Sequence, residues 1–314
     1  MRIALINSGL GLLAAAAELH RLRPDADLIL APDPDGMPWG PRTPAGIADR
    51  SLLCARAAAR YSPDVMIMAC NTGSVHALEP LRAEFEPDIP VIGTVPAIKP
   101  AAAVHHDVAI WATVATTNSA YQRRLIAEFG GGARVTPVAC PGLADAVDAG
   151  DDEAIDSAIA LAAAQTPAAC EAVVLGCTEY ELVADRVAQS VPGAVTLGSA
   201  AAVAAQALRR VPAAHDTVTH DTVTHDTAAQ RTADQPTALG ETAHQPTARR
   251  PTRPGLGTVW VLLSGRPANL PPAALKYPAG RLLAPLTASP ADRLASTTLT
   301  DRALAGPAPD HQPA

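Results

Sequence analysis

The chain is short of aromatic residues and lysines, and it has no paired-cysteine motif and no long apolar run. Each shortage removes a class of reading. Phe, Trp and Tyr together make up only 3% of the 314 residues, so any core is aliphatic and alanine-rich, and 48% hydrophobic content is enough to fill two lobes. Lys99 and Lys276 are the only lysines, and neither stands in a setting suited to a Schiff base, which argues against pyridoxal phosphate. The formal charge of −7 comes with no sustained Lys/Arg cluster, so the chain lacks the concentrated positive surface that nucleic acid requires.

The five cysteines, Cys54, Cys70, Cys140, Cys170 and Cys177, are odd in number, widely spaced and free of any CxxC pair. That excludes a zinc knuckle or a disulfide framework and fits reduced thiols in the cytoplasm. No apolar run reaches the length of a membrane span. Arg2 and the apolar stretch to Ala17 imitate a secretory leader, but Asn7-Ser8-Gly9 interrupts it and Glu18-Leu19-His20-Arg21-Leu22 carries a helical pattern past any cleavage position. The expectation is small-molecule chemistry with no membrane or nucleic-acid partner.

What is present is a regular alternation of short apolar runs and helical stretches. Arg2 to Ile6, Ala26 to Ala31, Asp64 to Ala69, Pro90 to Val95, Asp107 to Ala112, Val135 to Ala139 and Ala172 to Gly176 read as strands, with helical patterns between most of them. Thr43 and Pro44 read as N-cap and first position of a helix to about Arg60. The helix after Thr72 is expected to restart at Pro80, and Thr113 to Ser119 reads as a hydroxyl-rich turn. This pattern predicts an α/β fold of two pseudo-symmetric lobes, with mainly parallel sheets flanked by helices. The first lobe, residues 1–95, carries Cys70, and the second, 96–210, carries Cys177.

Composition changes at Pro212. Residues 211–255 read as a low-complexity, disordered linker containing the repeat Asp216-Thr217-Val218-Thr219-His220, Asp221-Thr222-Val223-Thr224-His225. Residues 256–267, with Val259 to Leu263, read as a strand returning to the first lobe. Residues 268–314 form a Pro/Ala-rich tail without a fold signal, part of a disordered C-terminal extension.

Two strand ends carry the chemistry. Val65-Met66-Ile67-Met68-Ala69 runs into Cys70-Asn71-Thr72, and Ala172-Val173-Val174-Leu175-Gly176 runs into Cys177-Thr178. A thiol between a strand and a helix sits by free backbone N–H groups, which favours the thiolate and makes it a base. Two such thiols on opposite faces of an amino acid can remove its Cα proton and return another to the other face. Cys54, Cys140 and Cys170 lack that setting and read as structural. The main competing reading is a dinucleotide fingerprint, Gly9-Leu10-Gly11-Leu12-Leu13-Ala14 followed by Asp33. His105-His106 reads as an exposed turn, and Ser8 lacks a nucleophile-elbow setting.

Several motifs resemble the glutamate racemase branch of the aspartate/glutamate racemase family. They are Asn7-Ser8-Gly9-Leu10-Gly11, Pro38-Trp39-Gly40, Ala69-Cys70-Asn71-Thr72, the turn from Thr113 through Thr116 and Ser119 to Tyr121, Ala139-Cys140-Pro141 and Gly176-Cys177-Thr178-Glu179-Tyr180. The resemblance implies a racemase that needs no cofactor and no metal, acts on an acidic amino acid, supplies D-glutamate for peptidoglycan and forms a homodimer in many members. It implies Cys70 and Cys177 as the acid/base pair. It further implies substrate contacts at Asn7, Ser8, Trp39, Gly40, Asn71, Thr72, Thr116, Thr178 and Glu179.

Three of these positions depart from the family pattern. Trp39 stands for tyrosine and loses a phenolic hydroxyl. Asn7 stands for a carboxylate, and an amide cannot take up a proton at neutral pH. Glu179 stands for histidine and is expected to raise the pKa of Cys177. Glutamate is the first expected substrate. Aspartate, to which the Gly-Cys-Thr-Glu form points, and a non-catalytic ligand-binding relative are the alternatives.

Overall fold

The computed structural model describes residues 1–211 and 255–288. The Asp/His repeat and the tail beyond 288 lie outside the described residues. Among the described residues, Met1–Val211 and those from Leu256 to Ala288 cluster as one compact unit.

The unit is built on two sheets. The first contains β1 (Arg2–Asn7), β2 (Asp27–Pro32), β3 (Val65–Met68) and β4 (Val91–Gly93). The second contains β5 (Asp107–Ala112), β6 (Arg134–Ala139), β7 (Ala172–Leu175) and β8 (Val195–Leu197). Each set runs parallel, and the orders β2-β1-β3-β4 and β6-β5-β7-β8 are the same arrangement used twice. Near-continuous apolar runs suit strands covered on both faces. Along β1, Ile3 and Leu5 enter one core cluster, and Ala4 and Ile6 enter the other.

The first sheet is extended by the returning chain. β9 (Val259–Leu263) lies parallel to β2, with Leu28 beside Val259 and Leu30 beside Val261, and β10 (Arg266–Pro267) folds back antiparallel on it. The helix Ala200–Arg210 follows β8 in the chain, yet it packs on β3, β4 and the helix Leu12–Leu22, all elements of the first sheet's layer.

Local expectations fail in three places, each for a physical reason. The helix after Asn71–His76 restarts at Leu78, leaving Pro80 in the first turn, where its missing N–H removes no intrahelical bond. The hydroxyl-rich turn is a one-turn helix, Val114–Thr117, because the Thr113 hydroxyl accepts from Thr116 N at 3.3 Å and caps it. The tail from Pro272 is ordered to Ala288 and contains a short helix, Pro278–Leu283, anchored by buried Tyr277, whose hydroxyl donates to Val147 O at 2.5 Å. That anchor is tertiary, so the local sequence carried no sign of it.

Candidate active site

β3 and β7 occupy equivalent places in their sheets, and one residue after each, Ala69 or Gly176, comes a cysteine. Cys70 caps the helix Asn71–His76, its sulfur accepting from Gly73 N at 3.4 Å. Gly73 has to be glycine, because a Cβ there would meet Met68 Sδ and stand 3.0 Å from the Trp39 ring. Cys177 precedes the 3₁₀ turn Thr178–Val183, and its thiol donates to Glu179 Oε2 at 2.8 Å.

Both thiols line one cavity of about 440 Å³, within the range of small-molecule sites. Ser8, Trp39, Gly40 and Thr72, singled out from sequence, line it as well. So do residues not singled out as ligand contacts, among them Thr113, Cys140, Asp145 and Asp148. No Lys, Arg or His stands among the lining residues. An adjoining pocket of about 290 Å³ shares Gly40, Thr72 and Ala115, and it holds Asn71 and Thr116.

The remaining expected contacts stand behind the wall. Asn7 is fully buried, and its amide nitrogen donates to Ala69 O at 2.6 Å and Thr178 Oγ1 at 3.1 Å. Its oxygen accepts from Ser8 Oγ and Gly9 N, both at 3.1 Å. Asn7 thus ties the end of β1 to the turn after β7 with its hydrogen-bonding capacity used. Asn71 makes a second tie, donating to Gly176 O at 2.7 Å, while its own side-chain oxygen is buried without a partner. Glu179 is buried 97%, with Oε1 unpartnered.

Burial reverses the expectation of easily formed thiolates. The Cys70 thiol is pushed up to about 12, first by desolvation and then by the Glu179 charge, against which the bonds from Gly73 and Ser8 are too weak. Cys177 is raised well above the ordinary thiol value, again by burial first and by Glu179 second. The expected influence of Glu179 on Cys177 is therefore present, as the smaller of two effects.

Asp148 is the principal residue that sequence reasoning passed over. It lies on the helix Leu143–Ala149, and its carboxylate accepts from Leu10 N at 2.6 Å. The one available signal was its spacing of three from Asp145, which places both acids on one helical face. Asp148 also explains the glycine turn. A Cβ at Gly9 would collide with the Asp148 carboxylate, and one at Gly11 with Thr178 and Glu179, so these glycines admit side chains from the second sheet's connections. The dinucleotide reading loses its acid as well, since Asp33 is fully buried and bonded to Arg50, Trp39 and Ser264.

The Asp148 carboxyl is held well above its usual range by burial and then by Glu179. Its folded-state pKa exceeds the unfolded value of about 3.9, so its contribution to stability is complete below that value and is lost as pH rises toward the folded pKa. Asp148→Asn is therefore expected to raise the thermal midpoint more at pH 7 than at pH 4. Equal shifts at the two pH values, measured by circular dichroism melts, would contradict the burial argument.

Two like-built α/β halves each deliver a cysteine from the same strand position to one cavity. The chain belongs to the Asp/Glu/Hydantoin racemase family, whose sequence model matches residues 6–208. It is 33% identical over 219 residues to a glutamate racemase of Pseudomonas putida, covering 68% of this chain and 82% of that one. It is 34% identical over 218 residues to a glutamate racemase of Herpetosiphon aurantiacus, covering 68% and 85%. The fold matches an Escherichia coli glutamate racemase solved with L-glutamate and the activator UDP-MurNAc-ala, at a TM-score of 0.65 and 25% identity over 88% of this chain and 91% of that one. Among the described residues, no helix is long and apolar enough to cross a membrane.

Proposed function

We propose that the chain interconverts L- and D-glutamate by two-base proton transfer between Cys70 and Cys177, and thereby supplies D-glutamate for peptidoglycan in the cytoplasm. The observation that carries this reading is the pair of thiols from equivalent strands lining one cavity. Glutamate is the substrate borne by the names of the relatives.

An empty site with both thiols raised holds both as thiols at neutral pH. The substrate brings its own ammonium group into a cavity lined by carboxyl groups and no cation, and that positive charge favours a thiolate, so that one thiol releases its proton to solvent. One thiolate takes the Cα proton, and the electron pair moves into the substrate carboxylate. The opposite thiol then delivers its proton to the other face and becomes the thiolate. The Thr72 hydroxyl and the backbone N–H groups at the turns after the two cysteines are the donors available to the substrate carboxylates.

Incubation with L-glutamate in deuterated water, beside a parallel sample with L-aspartate, tests the reading. Formation of D-glutamate carrying deuterium at Cα is the expected result. Turnover of aspartate alone would transfer the assignment to aspartate racemisation. Ligand-induced stabilisation without exchange of either acid would establish the non-catalytic reading instead.

A further inference from the structure

Asp33 was singled out in the sequence as the acid of a nucleotide fingerprint, and the racemase reading leaves it without a task. Yet it is fully buried just after β2, in the loop that leads to the cavity wall. Its Oδ2 accepts from Trp39 Nε1 at 3.0 Å and from Arg50 Nε at 2.8 Å. Its Oδ1 accepts from Ser264 Oγ at 2.8 Å and from the Arg50 terminal nitrogen. Its backbone N–H is shared between the carbonyls of Asn7 at 3.0 Å and Ser8 at 3.1 Å. Four separated pieces of chain meet on this residue: the turn after β1, the wall loop, the helix Pro44–Ala59 and the hairpin after β9.

We infer that Asp33 is a positioning residue of the two-thiol cavity, fixing the Trp39 ring as its wall and linking that wall to the returning C-terminal strand. The bond consumes the single polar atom of the indole. Trp39 therefore has no hydrogen to offer a substrate, and its ring acts on the site by shape. The ring also lies on Gly73, in the first turn capped by Cys70, so a tilt of the indole displaces the edge of the cavity beside one reacting thiol. Burial opposes the ionised carboxylate, but the bonds from Arg50, Trp39 and Ser264 outweigh it and hold Asp33 below the usual carboxylate range, so the clamp is charged at neutral pH. Ser264, in the hairpin after β9, is one of the three side chains that orient it.

The test uses Asp33→Asn, Ser264→Ala and Trp39→Phe in the full chain, with two readouts. The first rests on the racemase reading: KM for glutamate is expected to rise about tenfold in Asp33→Asn and Trp39→Phe and about threefold in Ser264→Ala, with kcat changed less than KM. Combining Asp33→Asn with Trp39→Phe should add little to either alone, because both break the same bond. The second readout is independent of turnover. In ¹⁵N-labelled protein the Trp39 indole N–H, identified by its loss in Trp39→Phe, should exchange slowly with solvent and at least about tenfold faster in Ser264→Ala and Asp33→Asn. Unchanged indole exchange would overturn the clamp whatever the enzyme turns over. Unchanged KM in an active enzyme, or multiplying effects in the double variant, would overturn its role in the cavity. A wild-type chain that turns over no amino acid but shows the exchange pattern would overturn the racemase reading and leave the clamp standing. Should Asp33→Asn fail to fold, Ser264→Ala and Trp39→Phe carry both readouts.

Discussion

Cys70→Ala and Cys177→Ala are each expected to lower kcat for racemisation by at least about 10³-fold, in line with the loss of a positioned acid or base. The effect should be similar for the two, because each turnover needs one sulfur to take a proton and the other to give one. The paired placement also fixes an isotope pattern. In deuterated water the exchangeable thiols carry deuterium, so D-glutamate formed in the first turnovers is labelled at Cα, while unreacted L-glutamate keeps its hydrogen. A single base serving both faces would return the label to the starting enantiomer as well. Proton NMR of the two enantiomers during the initial rate distinguishes the cases, and early label in L-glutamate would remove the assignment of one cysteine to each face. Rescue of this loss by the remaining thiols is not expected, because Cys54 and Cys170 lie outside the cavity lining, and Cys140, which does line it, follows β6 rather than β3 or β7 and donates its thiol to Val138 O at 3.7 Å.

Glu179→Gln carries the second large expectation. Burial is the first cause of the raised Cys177 value, and the Glu179 charge with its 2.8 Å bond from the thiol is the second. Both contributions of the Glu179 side chain favour the protonated sulfur, against a smaller opposing bond from its backbone. Glutamine removes the charge and offers an N–H that can donate to a thiolate, so the Cys177 pKa falls. The rate rises with pH where a thiol must lose its proton, and the acid limb of kcat/KM should therefore move to lower pH, by about one unit or more. The shift should be the same from either enantiomer, since racemisation has no equilibrium preference and the two values of kcat/KM are tied. Full pH profiles in both directions measure it. A limb that stays in place or moves upward would mean that Glu179 assists the thiolate, for example by taking the thiol proton itself.

The elements legible in sequence were those set by short-range pattern. β5, the helix Ala120–Phe129 and β9 fall where apolar runs and caps put them, because a strand buried on both faces has to read as a continuous apolar run. The two cysteine turns were legible for the same reason, each being the end of such a run. Asp148 was not, because an aspartate on an alanine-rich helix reads as a solvated face until Leu10 is brought against it from 138 positions away. The ordered tail was not either, since Tyr277 finds its acceptor at Val147 only in the folded chain.

Sequence by itself determined the α/β class, the duplicated strand-to-cysteine turn and the family, because these rest on residue type and local periodicity. The tertiary structure decided the rest. It decided that the two sulfurs share one cavity, that Asn7 and Asn71 are ties across the molecule, and that Asp33 serves the Trp39 wall. It also decided the protonation of the thiols. Position at the start of a helical turn favours the thiolate, but desolvation grows with everything packed around the sulfur, and only the complete fold sets how much of that there is.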